Sequence, residues 1–275
     1  MEDQVRSSSN PAFRNLSGRG GTGYAGFGNP QAGMPPQYGG GYTYQAPPSE
    51  SDRPITVDDV VVKTALTLGL ALVTGVITAV LVLSGSIQPY PPLIIGFIVG
   101  FVVSLVVIFK QSNNPALILT YSAAEGVALG ALTGVLESIP ATRGIGLQAL
   151  LGTALVFGVM LVVYRTGAVK VTPKLTKWII GAAGGALALM LVNLILSLFG
   201  VSLGIRGTGP LAIIFSLVVI GIAAFMLLLD FDQADQMIRL GMPSKWAWYA
   251  AFGLMTTLVW LYVEILRLLW ALNER

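Results

Sequence analysis

Five ionisable side chains interrupt stretches of this chain that are otherwise apolar: Glu125, Asp230, Asp232, Glu264 and Arg267. A charge at the centre of a bilayer-spanning helix costs about 2.5–3.5 kcal/mol on insertion scales, so each such residue needs a partner or a task. Glu264 and Arg267 stand at i and i+3, about one helical turn apart, and one reading is a self-neutralising pair on one helix face. The other turns Glu264 toward further acids inside a bundle. Two carboxylates desolvated side by side share a proton. Protonated, they hold helices together by a hydrogen bond; deprotonated, they repel and attract a hard cation such as Ca²⁺, which prefers oxygen ligands. That chemistry is a gate with a pH trigger. Asp230 and Asp232, in Leu229-Asp230-Phe231-Asp232-Gln233, are either members of such a group or a solvated helix end, as Asp235 one turn later suggests. Glu125, beside Gly126, is either a third acid or a hydrogen-bonding contact to a neighbouring helix.

Composition removes most other chemistries. The chain has no Cys and no His, which excludes disulfide frameworks, Cys or His zinc sites, Cys nucleophiles and Ser-His-Asp triads. A retinal protein needs a Lys in its seventh helix, and residues 246–272 hold none. Charged residues make up 11% and apolar residues 54%, where a soluble domain carries about a quarter charged residues, so a soluble single-core enzyme is excluded. An intramembrane hydrolase would need a water-accessible carboxylate pair on one level. No enzyme activity and no cofactor are expected. The net charge of +3 is too small for nucleic-acid binding, and the basic residues read better as topology signals.

The elements that must position these acids are membrane helices. A hydrocarbon core about 30 Å thick takes about 20 apolar residues in a helix. Seven stretches reach or approach that length: Thr64–Leu83, Leu93–Phe109, Ala116–Leu136, Leu147–Tyr164, Trp178–Phe199, Leu211–Leu229 and Trp246–Leu272. The first is entered through a capping box at Thr56-Val57-Asp58-Asp59. The fold class is therefore all-α: a polytopic membrane protein with seven transmembrane helices in one bundle over residues 55–275, preceded by a tail over 1–54. That tail, rich in Gly, Pro, Ser and Tyr, is expected to be disordered and to leave the fold unchanged when deleted. Its Gly18-Arg19-Gly20-Gly21-Thr22-Gly23 lacks the flanking strand and helix of a nucleotide site, and with no apolar h-region no signal peptide is expected. With the tail in the cytoplasm, the inside loops hold Lys110, Arg165, Lys170, Lys174, Lys177, Arg239 and Lys245, while the outside loops hold Arg143 and Arg206. This bias puts the N-terminus in the cytoplasm of a multi-pass protein of the cell membrane. Gly pairs four apart (Gly96 and Gly100; Gly126, Gly130 and Gly134; Gly181 and Gly185) mark faces where helices should touch, and Asn193 reads as interhelical glue.

The run Leu227-Leu228-Leu229-Asp230-Phe231-Asp232-Gln233 and the later Trp260-Leu261-Tyr262-Val263-Glu264-Ile265-Leu266-Arg267-Leu268-Leu269 resemble the last two helices of the Bax inhibitor-1 family, the transmembrane Bax-inhibitor-motif proteins. Glu125-Gly126 with Gly130 resembles its Glu-Gly segment. The resemblance runs from about Thr64 to Ala271, leaving the tail outside, and is nearest the bacterial, actinobacterial branch. It implies seven helices with the last one central, and a pH-sensitive Ca²⁺ leak gated by one acid on each of the last two helices, with the bilayer, protons and cations as partners. By position these are Asp230, with Gln233 three residues on, and Glu264, which stands where an Asp is usual. Glu lengthens the side chain by a methylene. Lys110 is what this chain offers for the Arg that latches the pair in a bacterial relative, and a point charge is no bidentate fork. The alternative is a non-conducting regulator that binds a membrane protease or another membrane protein. If the last hairpin turns near Gly241-Met242-Pro243, Asp230 and Glu264 differ in depth by about 15 Å, a gap that a tilted seventh helix, or one bent at Gly253, would close.

Overall fold

A computed structural model describes residues 52–201 and 203–274. Seven helices in it are long and apolar enough to cross a membrane: α1 (Val57–Leu83), α2 (Tyr90–Lys110), α3 (Pro115–Glu137), α4 (Ile145–Thr166), α5 (Pro173–Leu198), α6 (Pro210–Arg239) and α7 (Trp246–Asn273). The disordered tail expected over 1–54 lies almost wholly outside the described residues. The chain is a multi-pass membrane protein, with its two faces distinguished below as near, where α1 begins, and far.

Local chemistry sets the helix starts. Thr56 and Asp59 form the expected capping box, the Thr56 hydroxyl accepting from the Asp59 amide at 3.3 Å while the Asp59 carboxylate accepts from the Thr56 amide at 3.0 Å. Asn114 and Thr172 cap α3 and α5 with one bond each, accepting from the Ala116 and Leu175 amides, and each is followed by a Pro at the first helical position, where the missing N–H costs nothing. α6 continues ten residues past Leu229, where hydropathy alone would end it, because its polar residues are helix-compatible and support one another. Gln236 donates to Asp232 at 2.6 Å, and Arg239 pairs with Asp235 at 2.7 Å, each one turn apart.

The central position of the last helix holds. α7 packs against α1, α3, α4 and α6, and half of its apolar span is buried, the largest share of the seven. Small residues of α3 let its neighbours come close. A Cβ on Gly126 would meet Thr74 and the Ala71 carbonyl of α1, and one on Gly130 would run into the backbone of Gly75. Gly96 sits as tightly on the other side, against Ala124 and Ala128. In α5 the expectation fails: a Cβ at Gly181 or Gly185 would meet nothing within 4 Å. α5 is peripheral and rests chiefly on α6, so its Gly spacing marks no contact within this chain. Its Asn193, read as interhelical glue, instead accepts from the Leu203 amide at 3.2 Å, in the connection that follows its own helix.

Candidate functional site

Asp230 lies in α6, about nine residues from the near-face end, with its carboxylate turned onto α7 beside Gly253 and Thr257. The absence of a side chain at Gly253 is what lets it approach: a Cβ there would stand 3.7 Å from Asp230 Oδ1. Asp230, Gln233, Tyr249 and the Gly253 backbone line a small cavity of about 90 Å³. Oδ2 is buried with no hydrogen-bond partner, and no basic side chain pairs with Asp230 among the described residues.

Glu264 has a different environment. It is 1% exposed, and its Oε1 accepts from Arg206 Nη1 at 2.9 Å. Arg206 comes from the α5–α6 connection at the far face and is about one-third exposed. Arg267 stands 3.9 Å from the other Glu264 oxygen and donates through Nη2 to the Ile205 carbonyl at 2.8 Å. Two guanidiniums and a backbone carbonyl thus fasten the α5–α6 connection onto the last helix, with Glu264 as the anchor. The i,i+3 arithmetic found the weaker contact, and the stronger one comes from 58 residues away.

The two acids do not meet. α7 runs unbroken from Trp246 to Asn273, so Glu264 lies about 10 Å beyond Thr257 and about 16 Å beyond Gly253 along the axis. No bend at Gly253 closes the gap. Fully buried Leu227 and Leu261, with Leu258 at 7% exposure, belong to the apolar cluster that fills the space between these levels. The arrangement is an acid-lined cavity toward the near face, an apolar seal, and a clamped acid toward the far face.

The remaining candidates separate as well. Glu125 sits on α3 with its carboxylate against Gly100 of α2, away from both acids of the last hairpin. Asp232 is held by Gln236 on the same helix, and Asp235 accepts from Tyr164 of α4 at 3.1 Å; both suit the reading of a polar helix end. Lys110 is exposed at the near-face end of α2, and among the described residues no ion pair reaches it. It cannot touch Glu264 at the opposite end of α7, and the cation that does pair with Glu264 at 2.9 Å is Arg206. Two side chains with structural work escaped the sequence reading: Arg206, weighed there only as a loop charge, and Glu137. Glu137 accepts from the Gly144 and Gly146 amides at 2.7 and 2.9 Å, so a carboxylate from the end of α3 caps the start of α4. A lone basic residue in an otherwise uncharged far-face loop was the one signal for Arg206.

A family model described as Bax inhibitor 1 like matches residues 10–274. The match extends the likeness well beyond Thr64 and takes in most of the tail, from Asn10 onward. No curated protein matches the chain.

Proposed function

This chain belongs to the Bax inhibitor 1 like family, and from that premise we propose that it is a non-enzymatic cation leak, carrying Ca²⁺ across the cell membrane under proton control. The observation that carries the reading is the pair of intramembrane acids on the last hairpin, separated by an apolar seal and treated differently by their surroundings. Asp230 faces a small cavity without a basic partner and is the acid whose protonation the leak follows. Glu264 is the anchor of the α5–α6 connection, and its Arg206 and Arg267 partners keep the far side shut. A cation entering from the near face would meet Asp230 and Gln233, whose oxygens suit a hard ion, and would pass only when the band around Leu227 and Leu261 parts. With the positive-inside bias, the near face is cytoplasmic.

The test is flux from Ca²⁺-loaded vesicles containing the purified full chain, followed across pH. Wild type should leak with a pH-dependent rate. Asp230→Asn should leave a leak that no longer responds to pH, whereas Glu264→Gln should raise the leak at every pH by freeing the α5–α6 connection. Because the acids lie about 10 Å or more apart with no shared partner, the double variant should show both effects added. Vesicles no leakier than protein-free ones at any pH would overturn the reading.

A further inference from the structure

A groove of about 530 Å³ lies away from these acids, between α1 and α4 with α3 and α7 as its floor. Its length follows from its walls: it runs from Leu68 to Ala79 along α1 and from Phe157 back to Gly146 along α4, about 16 Å in each case. Small residues make the room, Gly69 on one wall and Ala154 on the other. The rims are Leu72 and Val76 of α1 and Leu147 and Leu150 of α4, which are 47, 54, 63 and 39% exposed within membrane-spanning segments. The mouth therefore opens sideways, at the depth of bilayer hydrocarbon.

We propose that this groove binds one acyl chain of a bilayer phospholipid, with the headgroup at the far face. Three observations select that occupant. The lining is overwhelmingly apolar, so water would find too few of the two to four polar partners it needs. A dry void of this volume would forfeit contacts on the scale of a whole domain's stability. Hydrocarbon is the one component of matching chemistry at the mouth, and the volume lies within the range of small-molecule pockets. The direction comes from the polar end. The Thr133 and Tyr262 hydroxyls pair at 2.8 Å there, and Glu137 beside them is already engaged by the Gly144 and Gly146 amides. Arg143, exposed one residue before Gly144, supplies the cation for a phosphate. The site does not depend on the leak reading, since its test measures binding and not flux.

The full chain, reconstituted in dioleoyl phosphatidylglycerol vesicles and then extracted and washed in detergent, is examined by native mass spectrometry. Wild type should retain one phosphatidylglycerol per chain. Gly69→Phe with Ala154→Phe fills the groove from both walls, at positions where added atoms are accommodated: a Cβ on Gly69 meets nothing within 4 Å and Ala154 is exposed. Retention in that variant should fall about tenfold, with helical content and thermal unfolding kept. Val73→Phe, on the same helix and 56% exposed but outside the groove, should retain lipid as wild type does. If the double filling prevents folding, Gly69→Leu alone provides the milder obstruction and should still lower retention. Wild type that keeps no phosphatidylglycerol, folded filled variants that keep it undiminished, or retention of a free fatty acid in its place would each overturn the proposal.

Discussion

Arg206→Gln isolates the clamp on Glu264, because it removes the 2.9 Å contact while leaving Arg267 on the same carboxylate. Breaking a fully buried ion pair costs about 3–5 kcal/mol, but the Arg206 side chain is 35% exposed and solvent screens part of that. Arg267, at 3.9 Å and 13% exposed, retains some of the compensation. The expected loss is therefore about 2 kcal/mol, which lowers the unfolding midpoint of a domain this size by about 4–8 °C. The assay is a double-mutant cycle on thermal unfolding in detergent, with Arg206→Gln, Glu264→Gln and the two together. Glu264→Gln alone should cost at least as much as Arg206→Gln, since it leaves two guanidiniums facing a neutral amide. The cycle should return a coupling of about 1–3 kcal/mol, and the double variant should be little worse than the single ones. Arg206→Lys should recover only part of the loss, because an ammonium lacks the planar fork. A coupling below about 0.5 kcal/mol would mean independent sites and would refute the clamp, and with it the role given to the α5–α6 connection.

Two further predictions rest on packing and capping. Gly130→Ala should destabilise the chain by about 3 kcal/mol or more through overpacking against the Gly75 backbone, while Gly181→Ala, in open space on α5, should be neutral or stabilise by up to about 1 kcal/mol; thermal unfolding compares them directly, and equal effects would contradict the α1–α3 approach. Glu137→Gln should cost about 1–2 kcal/mol because a neutral amide replaces a carboxylate that accepts two backbone amides, and hydrogen exchange at Gly144 and Gly146 should quicken; unchanged exchange would show that the amides do not rely on it.

What the sequence disclosed, and what it hid, divides by range. The capping box at Thr56 and Asp59, the Pro residues opening α3 and α5, and the apolar lengths are local facts, and local physics fixes them. The end of α6 was misjudged because hydropathy reports where lipid ends, whereas Asp232, Asp235 and Gln236 prolong the helix beyond that point through contacts on its own surface. The acids were legible as exceptions within apolar runs, but not their neighbours. Whether Glu264 turns toward Asp230 or toward Arg206 depends on how a connection 58 residues upstream folds over the helix, and residue spacing carries no term for that. Gly spacing failed in the same manner: the α3 and α5 patterns look alike, yet only α3 has helices on both sides.

The tie between the start of α1 and the α6–α7 turn bears on the order in which the molecule is made. Ile55 donates its amide to the Met242 carbonyl at 2.8 Å, Ser244 donates to the Arg53 carbonyl at 2.7 Å, and Lys63 donates to the Ser244 carbonyl at 2.7 Å, across 181 residues. At about 5–20 residues per second of synthesis, roughly 10–40 s pass between the emergence of Lys63 and that of its acceptor. Within that interval α1 can settle on α3, its main neighbour, but not on α7, and its near-face end stays unfastened. The fold is thus closed like a ring binder, by its last pages: translation stopped short of Met242 leaves an assembly whose first helix has never been locked.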